Sequence, residues 1–214
     1  MRVRISVDLR SKLGKARDQG PRPTCMAFAA SDGHSFAHSS FEDLSAEYAH
    51  YHAIRRMPIF NPNQGVSLAT MVDVLREDGQ PLENGWPYRE VVPTPLSTWK
   101  PPINPGKIFR HAFVKKPSSA SEVFDSLERG HVALLVLRIS KQFHTPPSDH
   151  VIGITPGDSD TAIHALLGVG LGEIKSSRVG LMRNSWGKDW GDEGHIWVTE
   201  EYLSLRLCSV AVPF

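Results

Sequence analysis

The chain of 214 residues has only two cysteines, Cys25 and Cys208. A multi-disulfide framework is thereby excluded, and a chain of this length buries enough surface to fold without one. It also lacks a long apolar run. The longest, around Val132 to Leu137, is far too short to cross a bilayer. The opening residues, Met1-Arg-Val-Arg-Ile-Ser-Val-Asp, contain no apolar h-region, so no secretory signal is visible. The expectation is a protein that stays in the cytoplasm, or an effector exported by a route without a cleaved signal. Charge of one sign is absent too. The formal net charge is +1, and Arg55-Arg56 and Lys115-Lys116 are isolated basic pairs. Nothing resembles a nucleic-acid footprint. There are no internal repeats and no low-complexity tracts.

What is present is ordinary globular composition, 40% hydrophobic and 22% charged. Met1 to Leu13 alternates weakly and reads as a strand. Asp18 to Thr24 is a turn-rich loop, and Thr24 can cap a helix running from Cys25 to about His38. A second helix follows Ser45 to about Arg56. A third spans about Ser67 to Asp78 and ends at Gly79 in the left-handed conformation. Residues 80–107 are proline-rich extended chain, read as a crossover that Trp86, Tyr88 and Trp99 pack down. Ile108 to Val114 reads as a strand. Ser121 caps a short helix to Arg129. Val132–Ile139, Ala165–Gly170, Val179–Arg183 and His195–Thr199 read as strands. Helices dominate the first half and strands the second. The fold class is α+β, in a single domain over 1–214. A helical part covers about 14–107 and a β-rich part about 108–214, which the strand at 1–13 joins, with a cleft where the parts meet.

Cys25 stands at the expected start of the first helix. A cysteine attacks as its thiolate, and a helix N-terminus favours that form while offering N–H groups to a developing oxyanion. Gln19, six residues earlier, offers a side-chain amide to the same oxygen. Cys208, among Leu205, Leu207, Val210 and Val212, reads as a small buried hydrophobe. Of the ten histidines, His34 and His38 lie four apart on one helix face. No third metal ligand is evident, and a solvated face is expected. His50, His52, His111 and His131 have no chemical context. His150, in Ser-Asp-His-Val-Ile-Gly, competes with His164 as a base.

Three stretches decide between them. Residues 18–28, Asp-Gln-Gly-Pro-Arg-Pro-Thr-Cys-Met-Ala-Phe, resemble the nucleophile segment of the papain family of cysteine peptidases. His164-Ala-Leu-Leu-Gly-Val-Gly-Leu-Gly is similar to that family's histidine segment. Asn184-Ser-Trp-Gly-Lys-Asp-Trp-Gly-Asp-Glu-Gly matches its asparagine segment position by position. The resemblance implies a helical lobe and a β-rich lobe with a barrel-like antiparallel sheet, and the active site between them. It implies peptide-bond hydrolysis by a Cys25 thiolate paired with a His164 imidazolium, through an acyl-enzyme, with Asn184 orienting the histidine. Trp186 is expected to shield that hydrogen bond. Gly65, in Gln64-Gly65-Val66-Ser67, resembles the family's glycine-containing substrate loop, and Ala165 is expected to line a substrate pocket. Trp190, Gly187, Gly191 and Gly194 are expected to be structural.

No metal and no cofactor are expected. The expected partners are a protein or peptide substrate and a proteinaceous inhibitor, with no nucleic acid, no membrane and a monomeric state. The chain departs from the family at Arg22, where a cysteine is usual, at Met26, where a tryptophan is usual, and at Ile163, where a polar residue is usual. With so short a stretch before Gln19, the family's inhibitory propeptide is not expected on this chain: either the protein is made active and controlled another way, or the chain is a processed or trimmed form. Two alternatives remain open here. One is an acyl transferase or isopeptidase using the same residues. The other is a silent peptide-binding scaffold.

Overall fold

The computed structural model describes residues 3–39 and 42–214. Six α-helices occur among them: α1 (Cys25–Ala37), α2 (Ala46–Arg55), α3 (Leu68–Glu77), α4 (Ala120–Glu128), α5 (Lys141–His144) and α6 (Glu200–Arg206). The strands are β1 (Arg4–Asp8), β2 (Phe113–Lys116), β3 (Ala133–Ser140), β4 (Val151–Ile152), β5 (Asp160–Ile174), β6 (Ser177–Arg183), β7 (His195–Thr199) and β8 (Leu207–Pro213). The strand expected over Met1–Leu13 is realised at Arg4–Asp8; Met1 and Arg2 lie outside the described residues.

Local chemistry accounts for the helix ends. The hydroxyl of Ser45 accepts from the Tyr48 N–H, and that of Ser67 from the Thr70 N–H, both at 3.1 Å. Along α3, Leu68, Met71, Val72 and Leu75 recur at helical spacing and are all buried. Gly79, at φ +70°, ends the helix as expected, its N–H reaching the Val74 carbonyl at 2.8 Å. α4 starts two residues earlier than expected. It is capped by Ser119, whose hydroxyl faces the Glu122 N–H, while Ser121 lies inside the helix. α1 is buried from Met26 to Ser35, because β5 and β3 lie on one side of it and α2 and α3 on the other.

The strands form one sheet in the order β2-β8-β3-β5-β6-β7-β4, with β1 added on β5. All pairings are antiparallel except β4 with β7, so the sheet is mixed and open. β5 starts earlier than expected: Asp160–Ile163 have exposed side chains yet pair with β3 through the backbone. The proline-rich stretch is packed down by tryptophan, with Trp86 and Trp99 buried against Ile54.

A buried carboxylate ties the helix of Cys25 to the strand that leads to Asn184. Asp32 of α1 accepts from Arg183 at the end of β6 (2.6 Å) and from Arg17 (2.7 Å). Burial alone pushes its pKa up, but the two guanidinium groups outweigh this and hold it below the usual carboxylate range.

Candidate active site

Cys25 is the first residue of α1 and is half-buried. Thr24 occupies the position before it, but its hydroxyl makes no helix cap. The Tyr88 hydroxyl donates to the Gln19 carbonyl (2.5 Å), so the Thr24 hydroxyl must donate to Tyr88 (3.1 Å). The first N–H groups of α1 are therefore not consumed by a cap, and the positive end of the helix faces the sulfur. Backbone N–H groups of Ala165, Met26 and Cys25 itself favour the thiolate. Burial acts more strongly and pushes the isolated thiol up.

Ala165 follows His164 on β5, so these contacts bring the helix start and the histidine strand together. The Nε2–H of His164 donates to Asn184 Oδ1 at 2.7 Å, which leaves Nδ1 as the basic nitrogen. The same oxygen accepts from the Ser185 N–H at 2.8 Å. Asn184 is itself fixed by its N–H to the Gly194 carbonyl, 2.9 Å. Trp186 lies against the imidazole, with ring centroids 4.7 Å apart. Burial pushes His164 down to about 4, and the Asn184 hydrogen bond opposes this. Burial thus disfavours a lone charge on Cys25 and on His164 alike.

Gln19 is buried, and its N–H bonds the Ser185 carbonyl at 2.9 Å. Its side-chain oxygen accepts from the Ser185 hydroxyl and its amide donates to the Arg22 carbonyl, each at 2.7 Å. One amide hydrogen remains. Ser185 was not singled out in the sequence, because its partner lies 166 residues away. The motif Asn-Ser-Trp was its only signal.

Cys25, Gly65, Ile163, His164 and Ala165 line one cavity of ≈ 430 Å³. A side chain at Gly65 would point into open space. Cys208 also lines this cavity, and this corrects its expected burial: it is exposed. The register between β3 and β8 explains why. Val136 pairs with Ser209 and Leu137 with Leu207, so Cys208 is the extra residue of a β-bulge and is re-aimed out of the core. The expected solvated face at His34 and His38 is likewise wrong. His34 is fully buried, donates from Nδ1 to Gln80 Oε1 (2.7 Å) and meets His38 at 3.1 Å. His150 lies elsewhere, at a positive φ before β4.

The family model described as papain family cysteine protease matches residues 114–212. Cysteine proteinase 3 of Entamoeba histolytica is 24% identical over 218 residues, covering 96% of this chain and 65% of its own length. Over residues 114–212 the chain is thus similar to the papain family of cysteine proteases. Cysteine proteinase 2 of Zea mays is 42% identical over 64 residues, 30% of this chain and 16% of that protein. The chain thus spans less than two thirds of either relative. Xylellain, a cysteine protease from Xylella fastidiosa, shares the fold, with a TM-score of 0.78, 22% identity and coverage of 97% of this chain and 84% of its own. Relative to the papain-family pattern, Arg22 replaces a half-cystine with a buried ion pair to Glu47 of α2, 2.7 Å. Among the described residues no helix is long and apolar enough to cross a membrane, and no group of metal-ligating side chains converges.

Proposed function

We propose that this chain is a cysteine peptidase, built as one papain-like unit of two lobes, that cleaves peptide bonds of protein or peptide substrates. The observation that carries the reading is the shared cavity. The sulfur of Cys25 and the Asn184-oriented imidazole of His164 wall the same space.

The Cys25 thiolate attacks the scissile carbonyl carbon. The developing oxyanion is met by N–H groups at the start of α1 and by the remaining amide hydrogen of Gln19. His164 gives its Nδ1 proton to the leaving amine as the C–N bond breaks, and a thioester on Cys25 remains. His164 then takes a proton from water, whose oxygen attacks the thioester and releases the acid and the thiolate. Asn184 keeps the imidazole in one tautomer throughout, and Trp186 covers one ring face. An extended substrate lies along Gly65, where the absent side chain leaves its backbone reachable.

The test is a peptide library incubated with the protein and read by mass spectrometry. The expected result is amide cleavage that disappears in Cys25→Ala, with an acyl adduct on the peptide containing Cys25. Cleavage that persists in Cys25→Ala overturns the assignment.

A further inference from the structure

One titratable side chain outside the proposed catalytic set stands beside it. His144 ends α5 and is exposed. Its Nε2 lies 3.1 Å from the Thr161 hydroxyl, whose own proton goes to the Ile139 carbonyl at 3.0 Å. Thr161 must therefore accept, so neutral His144 carries its proton on Nε2 and keeps Nδ1 free to take a second. The ring stacks on Trp186, with centroids 5.5 Å and planes 20° apart. Trp186 in turn meets His164 at 4.7 Å. A single indole thus separates the two imidazoles. Burial is the main cause that lowers His164, and a charge on His144 lowers it further.

The direction of the proposed reaction says what passes this ring. The acyl part of a substrate fills the cavity lined by Gly65, Ala165 and Cys208. The leaving amine must reach His164, which protonates it. In the proposed reaction the residues after the scissile bond leave on the His164 side, where Trp186 and His144 stand.

We propose that His144 is a specificity-determining residue for the leaving-group side, selecting a carboxylate just after the scissile bond when its imidazole is protonated. This rests on the peptidase reading above. The imidazolium on the Trp186 face attracts an acidic side chain, and the neutral ring presents a flat surface without that preference. The ionisable groups on the elements around it fit this. Asp158 accepts from Gln142 of α5 (3.0 Å) and faces Arg206 (3.7 Å), Asp160 of β5 is held by Arg206 and by Arg138 of β3 (3.5 Å), and Lys188 is paired with Asp189 (2.6 Å). Lys141, at the start of α5, adds positive charge to the same helix.

The experiment takes a peptide cleaved in the library and varies only the residue after the scissile bond, Asp against Asn. The ratio of kcat/KM for the pair is followed from pH 5 to pH 8, the range over which imidazole changes charge. Any titration of Cys25 and His164 common to both peptides cancels in that ratio. The expected ratio is about 5 at pH 5, the worth of a partly exposed ion pair, falling to about 1 at pH 8. In His144→Gln, which keeps a donor for Thr161, the ratio stays near 1 throughout. Cleavage with a ratio independent of pH in the unaltered protein overturns the role of His144 alone. So does a pH-dependent ratio that survives in His144→Gln. Absence of any peptide cleavage overturns the peptidase reading and this proposal together.

Discussion

Arg22 and Glu47 meet out of water, a guanidinium nitrogen 2.7 Å from a carboxylate oxygen, three residues before Cys25. The carboxylate also accepts from the indole of Trp99 (2.5 Å) and the N–H of Arg89 (3.2 Å), and Arg22 donates to the Arg89 carbonyl (2.5 Å). The pair holds the loop carrying Cys25 to α2 by charge and hydrogen bonds, where the family pattern uses a covalent link.

Removing one partner leaves the other buried and uncompensated. Arg22→Met is expected to cost about 3–5 kcal/mol. Adding Glu47→Gln, which keeps an acceptor for Trp99, should recover much of that loss. Urea unfolding of the two variants checks this. A double variant no more stable than Arg22→Met alone would show that the charges are not coupled.

The proposed thiolate–imidazolium pair of Cys25 and His164 has a kinetic signature. In His164→Gln the thiol has no proton acceptor, and burial keeps it neutral. Alkylation by iodoacetamide at pH 6, read at the peptide containing Cys25, is expected to slow by at least about 100-fold. In the variant the rate should recover only in alkaline solution. An unchanged rate at pH 6 would dissociate the thiolate from the histidine.

Three buried histidines away from the cleft set an acid limit on the fold. Burial pushes His34, His50 and His195 each down to about 4. In His50 and His195 one ring nitrogen has no hydrogen-bond partner among the described residues, so a second proton there finds no acceptor. The folded pKa lies below the unfolded one. Full stability is therefore present above about pH 6.5 and is lost as pH falls toward 4, because the unfolded chain binds more protons. The expected fall in Tm between pH 7 and pH 5 is roughly 10 °C. His50→Gln should flatten that slope, and calorimetry across the range measures it. A Tm independent of pH down to 5 is the contrary result.

Gly194 carries the carbonyl that fixes the Asn184 backbone. It sits at φ +83°, and a Cβ there would lie 2.2 Å from the side chain of Ala16. Gly194→Ala is expected to destabilise by about 2 kcal/mol or more and to lower kcat/KM with it. Ala16→Gly removes the clash but not the backbone strain, so the double variant should recover only part of the loss. Complete recovery would mean that the conformation at Gly194 matters little.

Much of this architecture was legible in the sequence where the determinants are local. Ser45, Ser67 and Gly79 mark helix ends through their own hydroxyls or missing side chain, and the structure keeps them. The Asn184 segment was legible through its likeness to the papain family's asparagine segment, and its glycines Gly187, Gly191 and Gly194 take the positive φ that its turns require. What escaped depends on partners far along the chain. The burial of His34 needs Gln80 and α1 packed between sheet and helices. The hydroxyl of Thr24 was drawn away from its helix by Tyr88, 64 residues on. The exposure of Cys208 follows from a register shift between two strands, which no property of the residues beside it announces. His144 drew no attention because its meaning lies in the ring it stacks on.

That register shift also has a use for chemists. A fragment joined to Cys208 by disulfide exchange would sit inside the cavity proposed for the substrate, bonded to a sulfur other than that of Cys25. The bulge thus supplies a natural tethering point, from which ligands for this cleft can be grown by reversible capture and told apart from reagents that simply consume the nucleophile.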